Sequence, residues 1–189
     1  MYEKLKNEIL AKLTEKRLVH TEGVRRTAAG LCEIYGEDKE KVDLAVCFHD
    51  LYRGKQAEEL DRLIEKYGVP ERYKGNANLA HGKLAAAAME QDYGITDEDV
   101  LNAVSFHTTG RAAMSTMEKI VFLADAIEPG RDYPGVDALR KMAEESLDKA
   151  CLMSLEGTIK FLEEQGVADI DTDTIEARDY LLETINSEH

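Results

Sequence analysis

The 189 residues of this chain predict an all-α helical bundle, and three observations carry that expectation. Apolar residues recur at three- and four-residue steps along almost the whole length, the period of one helix face. No stretch sustains the alternation of a half-buried strand. Apolar residues make up 43% and charged residues 33%, a balance that suits a globular domain able to bury a sizeable core.

The elements follow in order. Leu5, Ile9 and Leu13 mark a first helix, and Val24, Ala28, Leu31 and Tyr35 a second, ended by Gly36. Val42, Ala45, Val46 and Phe48 make a third that runs straight into His49 and Asp50. Leu60, Leu63, Ile64 and Tyr67 give a fourth, stopped by Gly68 and Pro70. After the polar KGNAN, an alanine-rich segment from Leu79 to Met89 allows close helix packing. Thr96 reads as an N-cap, followed by Asp97, Glu98 and Asp99 in a first turn where negative charge suits the helix dipole. Val100, Leu101 and Val104 carry that helix toward His107, and Met117, Ile120, Val121 and Ala124 define another that ends near Asp125. Gly130, Pro134 and Gly135 form the clearest loop, before helices around Val136–Met142, Leu147–Glu164 and Thr174–Asn186. With no repeat and no long linker, residues 1–189 read as a single domain.

Charge and cysteine usage narrow the function. A formal charge of −14 repels nucleic-acid phosphates and anionic lipid, so neither nucleic acid nor membrane is expected as a partner. A small anionic substrate stays open, because bound divalent ions would dominate the local field. Cys32, Cys47 and Cys151 are odd in number, far apart and set in apolar helices, so they read as buried thiols of a reducing compartment. The charged start MYEKLKNEILAKL is no signal peptide, and no run approaches the ~20 apolar residues of a membrane span. The expected location is cytoplasmic.

Of five histidines, the terminal His189 is set aside, and His20, His49, His81 and His107 lie in or beside four separate apolar helical stretches. His107 falls three residues after Val104 and seven after Val100, and Asp125 four after Val121, so both share inner faces. Each alone reads as a structural core group. Their convergence points elsewhere: the doublet His49–Asp50 leaves a buried helix after AVCF. An inward carboxylate can bridge two cations while imidazoles from facing helices fill the remaining positions. Metal coordination also offsets the cost of burying an unpaired Asp. No CxxC pair, HExxH motif, Walker-type loop or GxSxG elbow competes. Lys83 and Lys119 read as solvated surface.

The order His20, His49–Asp50, His81, His107, Asp125 resembles the HD superfamily of metal-dependent phosphohydrolases. RLVHTEGV, FHDLYRG, AHGKLAAAA, AVSFHTTGR and EKIVFLADAIEPGRDYPGV are similar to successive signatures of one branch, the YqeK family of bacterial symmetrical dinucleoside-tetraphosphate hydrolases. The likeness spans residues about 17–140, with Gly82 standing where some members have Ala and Leu18 where an aromatic is commoner. It implies an HD-domain helical bundle with a dinuclear iron centre that splits diadenosine tetraphosphate into two ADP. His20, His49, Asp50, His81, His107 and Asp125 then hold the metals, with Asp50 at the centre of the chemistry. Arg53 takes the place of a cationic residue facing the substrate phosphates, and Arg17, Thr108 and Arg131 fall at nucleotide-contact positions.

Two such cations lower the pKa of a shared water and bind the phosphate under attack, while guanidinium groups balance the remaining charge. Imidazole–carboxylate sites also suit manganese, cobalt or another divalent transition metal. The residues leave open a nucleoside monophosphate, a guanosine polyphosphate or a cyclic dinucleotide as substrate, and a nucleotide sensor without turnover. Surface ion pairs remain the alternative roles for Arg17, Arg53 and Arg131, and a loop cap for Thr108. Tyr2, Tyr180 and Leu182 on outer helices are candidates for a homodimer interface.

Overall fold

The computed structural model describes residues 2–187, so His189 lies outside the described residues. In chain order the helices are α1 (Glu3–Leu10), α2 (Glu15–Tyr35), α3 (Lys39–Phe48), α4 (Ala57–Tyr67), α5 (Ala77–Gln91), α6 (Glu98–Ser105), α7 (Thr116–Ile127), α8 (Val136–Glu145), α9 (Leu147–Glu164) and α10 (Thr172–Ser187). One 3-10 turn, Glu71–Tyr73, sits between α4 and α5, and there is no strand among the described residues. None of these helices is long and apolar enough to cross a membrane.

Local chemistry sets the helix ends. Helix α3 starts at Asp38, whose carboxylate accepts the N–H groups of Glu40 and Lys41 at 2.9 and 3.2 Å. Helix α2 stops at Gly36, where φ is +74° and the amide returns to the Cys32 carbonyl at 2.9 Å. Helix α7 opens with a capping box in which Ser115 and Glu118 satisfy each other's amides. At α6 the expected cap is displaced by one residue. Asp97, not Thr96, accepts the amides of Asp99 and Val100, because its charged carboxylate answers two N–H groups and the helix dipole together.

Helix α2 is the spine, packed against α3 and α7; α6 joins α7 to α5, and α9 carries α8 and α10. One apolar core runs through this arrangement, from Ile9 and Val24 through Phe48, Met89, Val104 and Leu123 to Leu155 and Leu181. A satellite core under α4 gathers Leu60, Ile64, Tyr67, Tyr73 and Leu84. Each fully buried large side chain contributes roughly 1.5–3 kcal/mol, so the ends anchored by such residues are stiff. Phe48, with 0% exposure and an edge-on contact to Tyr93, immediately precedes His49 and pins the doublet.

The three cysteines are free and buried, as their apolar settings predict. Burial pushes the thiols of Cys32 and Cys47 up to about 11 and about 12. The two lysines assigned to the surface are not there. The Lys83 side chain is only 9% exposed, with Nζ 3.3 Å from the Phe106 ring centroid and 3.4 Å from Asp173 of α10. Burial lowers it to about 8. Lys119 pairs with Asp148 at 2.5 Å. In both, a largely buried side chain brings its ammonium to a carboxylate, a pairing that one-dimensional polarity conceals.

Candidate metal centre

Five helices deliver the cluster. His20 lies inside α2, His49 and Asp50 follow the end of α3, His81 sits in α5, His107 follows α6, and Asp125 lies in the last turn of α7. His49, Asp50, His81 and His107 are buried, and the side chains of His20 and Asp125 are 10% and 20% exposed. The loop after α6 is held from two sides. Glu118 is buried against the Arg111 guanidinium at 2.5 and 2.6 Å, and Gly110 lies where a Cβ would come within 3.2 Å of Ala177 in α10.

The ring nitrogens are sorted. Nδ1 of His49 faces the Val46 carbonyl at 2.6 Å, Nδ1 of His107 the Val104 carbonyl at 2.7 Å, and Nδ1 of His81 the Ala77 carbonyl at 3.2 Å. Nδ1 of His20 faces Glu128 Oε1 at 3.1 Å. Carbonyls and carboxylates only accept, so each ring donates from Nδ1 and turns Nε2 into the cluster. The Nε2 atoms of His81 and His107 lie 3.0 Å apart, and those of His20 and His49 3.4 Å apart. Two facing lone pairs at that distance repel unless a cation sits against both. The Thr108 hydroxyl, 3.3 Å from His107 Nε2, reaches one of the four.

Asp50 joins the two halves. Its Oδ2 lies 3.6 Å from His20 Nε2 and 3.5 Å from His49 Nε2, and its Oδ1 lies 3.5 Å from His81 Nε2. Asp125 adds Oδ1 at 3.0 Å from His20 Nε2. Two triads, His20–His49–Asp50 and Asp50–His81–His107, each have ligand atoms within 4.8 Å of one another and share one carboxylate. A cation ~2.1 Å from each ligand holds neighbouring donors roughly 3.0–3.4 Å apart, so these donor sets fit a pair of divalent ions.

Electrostatics agree with that chemistry. Burial, with the neighbouring imidazoles, pushes His81 down to about 3 and His107 down to about 4, so both stay neutral and able to ligate at ordinary pH. Burial alone would raise Asp50, but the His49 and His107 rings and the Arg17 guanidinium hold it at about 2. Burial would raise Asp125, but the neighbouring His20 and His49 rings and Arg131 hold it well below the usual carboxylate range. Burial disfavours charge on His20, yet the bonds to Asp125 and Glu128 raise it.

The four predicted substrate residues divide. Arg17 Nη1 donates to Asp50 Oδ2 at 2.8 Å, and Arg131 donates to Asp125 from Nη2 at 2.5 Å and from Nε to its backbone carbonyl at 2.8 Å. The Arg131 partner is thus Asp125 of the cluster; Glu128 is 4.0 Å away. Thr108 lies at the cluster beside His107, whereas Arg53 reaches out to Asn78 Oδ1 at 2.6 Å. Sequence reasoning missed Glu128 as a cluster residue. It is 5% exposed, and its only sequence signal was its place in IEPGR.

A bundle of facing helices that converges histidines and aspartates on a shared carboxylate belongs to a defined class. The HD domain family matches residues 17–130, and the chain belongs to that family. Within it, the chain groups with proteins described as "Bis(5'-nucleosyl)-tetraphosphatase, symmetrical". That of Bacillus subtilis is 40% identical over 151 residues, 79% of this chain and 81% of that protein. That of Staphylococcus aureus is 39% identical over 181 residues, 94% and 93% respectively. A crystal structure from Clostridium acetobutylicum, described as a predicted HD superfamily hydrolase involved in NAD metabolism, matches with a TM-score of 0.89 and 43% identity. It covers 97% of this chain and 98% of that one.

Proposed function

We propose that this chain is a metal-dependent phosphohydrolase that cleaves diadenosine tetraphosphate symmetrically into two ADP. The observation that carries the metal reading is the convergence of four Nε2 atoms on Asp50, each turned inward by an acceptor behind its ring. The relatives described as symmetrical tetraphosphatases supply the substrate. His20, His49, Asp50 and Asp125 would hold one ion, and Asp50, His81 and His107 the other, with iron as the proposed metal and manganese or cobalt as substitutes. When bound, such ions supply positive charge that acidifies water and steadies phosphoryl oxygens.

The chain's own residues do the rest. The neutral rings of His81 and His107 keep their lone pairs available without competing protons. Arg17 and Arg131 sit on the two cluster carboxylates, within reach of an anionic chain laid across the cluster, and a planar guanidinium holds two phosphate oxygens at once. Arg53, at the rim, would balance phosphate charge farther out, and Thr108 would donate its hydroxyl beside His107. Positioning and charge stabilisation then account for the rate, because a nucleoside diphosphate is already a tolerable leaving group.

Residues 1–189 serve as one domain in this proposal, supported by a main core that takes in Leu139, Leu155 and Leu181 from α8, α9 and α10. Three buried free thiols support a cytoplasmic location, and Tyr180, 42% exposed, remains a candidate homodimer contact. The test is product analysis with added iron(II) or manganese(II), using diadenosine tetraphosphate beside mononucleotides, guanosine polyphosphates and cyclic dinucleotides. ADP alone is expected, with the tetraphosphate preferred. ATP plus AMP, or preference for another nucleotide, would overturn the symmetrical assignment while leaving the metal centre standing.

A further inference from the structure

Glu128 follows the last residue of α7, at a helix end where carboxylates are ordinarily solvated, yet it is only 5% exposed. Its carboxylate is clamped from all sides. Oε1 accepts from His20 Nδ1 at 3.1 Å, and Oε2 accepts the Gly130 amide at 2.6 Å. A Cβ at Gly23 would fall 2.5 Å from Oε2, and one at Gly130 would fall 2.9 Å from Oε1. The Glu128 backbone carbonyl is held in turn by Arg140 Nη2 at 3.0 Å and the Arg131 amide at 2.9 Å. Two glycines thus leave a slot shaped for this carboxylate, one of them three residues after His20 on α2.

We infer that Glu128 is a positioning residue that fixes the His20 ring, and that Gly23 and Gly130 keep the space it needs. The other three imidazoles are steered by carbonyls of their own helices, whereas His20 lies inside α2 and depends on this carboxylate 108 residues away. A carboxylate behind a ligating imidazole sets its tautomer and its angle and raises its basicity. With Nδ1–H committed to Glu128, Nε2 of His20 can face only Asp125, Asp50 and His49. The inference rests on the metal-centre reading given above.

The test uses the full chain, stripped of metal and titrated with manganese(II) in competition with a chelator, alongside thermal unfolding without metal. Glu128→Ala should weaken binding at the His20 position by about 10- to 100-fold. Glu128→Gln keeps the size but only one acceptor oxygen for the two donors, His20 Nδ1 and the Gly130 amide, and should recover part of that affinity. Gly23→Ala keeps the carboxylate but drives it from its slot, so it should reproduce the loss with Glu128 still present. A role confined to capping the Gly130 turn would lower the unfolding temperature and leave affinity untouched. Wild-type affinity in both Glu128→Ala and Gly23→Ala would overturn the inference while the metal centre stood. A wild-type chain that bound no manganese would overturn both.

Discussion

Gly82 follows His81 in α5, and its missing side chain is occupied space. A Cβ there would lie 2.9 Å from the Val104 carbonyl oxygen, 2.9 Å from His107 Cε1 and 3.0 Å from His107 Nδ1. Ordinary contact begins at 3.4 Å, so Gly82→Ala requires a shift of about 0.5 Å. His107 has little freedom to yield, because Nδ1 is bonded to Val104 at 2.7 Å and Nε2 faces His81 at 3.0 Å. The end of α6 must therefore move with the ring. Alanine gains about 1 kcal/mol over glycine in a helix, whereas overpacking costs about 1–3 kcal/mol. The net loss is about 0–2 kcal/mol, a fall in Tm of up to about 8 °C for a chain of this size. A ligand displaced by ~0.5 Å is at the limit of productive geometry, so affinity at the His81–His107–Asp50 position should fall on the order of tenfold or more. Manganese calorimetry that resolves the two ions, with thermal unfolding of the metal-free chain, reads both effects. Two ions at wild-type affinity together with a raised Tm would refute the reasoning, since both would mean that the methyl group finds room.

Three further perturbations probe other parts of the fold. Asp43 accepts from Lys6 at 2.6 Å and from Arg25 at 2.6 and 3.0 Å, and the Lys6 side chain is 4% exposed. Asp43→Asn should cost about 3 kcal/mol in urea unfolding at pH 7, the low end for a broken buried pair because Glu3 also pairs with Lys6. Burial would raise Asp43, but Arg25 and Lys6 hold it below its usual 3.8. The stabilisation is therefore full above about pH 4 and lost as pH falls through the lower folded value, and the gap between wild type and variant should narrow there; a constant gap would refute the assignment. Thr21 is fully buried and its hydroxyl has no partner among the described residues, so Thr21→Val should stabilise by about 1 kcal/mol, and a loss would mean that the hydroxyl is satisfied. Arg53→Ala should leave helicity and bound metal intact while slowing hydrolysis about ten- to a hundredfold, the worth of one charge-assisted phosphate contact; wild-type turnover would return Arg53 to the surface.

The helices were legible because a packed bundle writes its period into the sequence. The stripe of Leu60, Leu63, Ile64 and Tyr67 became α4, and Leu147–Glu164 became α9 with those limits. Where the reading failed, a third dimension was missing. Thr96 and Asp97 are both good caps, and only the backbone path decides which carboxyl or hydroxyl faces the free amides. Lys83 reads as polar, but its surroundings come from Phe106 beyond α6 and Asp173 in α10, which no local window joins. The gathering of His20, His49, Asp50, His81, His107 and Asp125 was readable as order along the chain, whereas the distances among them were not.

The orientation of the imidazoles divides along the same line. Val46 and Val104 lie in the last turns of α3 and α6, where carbonyl oxygens lack an intrahelical N–H. A histidine three residues later can fold its ring back onto that oxygen, so His49 and His107 each cap the helix that carries them. The spacing Val-x-x-His at a helix end therefore encodes both position and tautomer, and could have been read in advance. His81 lies inside α5 and turns Nδ1 back one turn to the Ala77 carbonyl at the start of that helix. His20, also inside a helix, turns Nδ1 to a carboxylate and not to a carbonyl of α2. Its orienting group comes from another element, since Glu128 reaches it across 108 residues through a gap kept open by Gly23. Three of the rings take their support from the helix that carries or precedes them, while His20 borrows one. The borrowed support is the part of this centre that only the folded chain reveals.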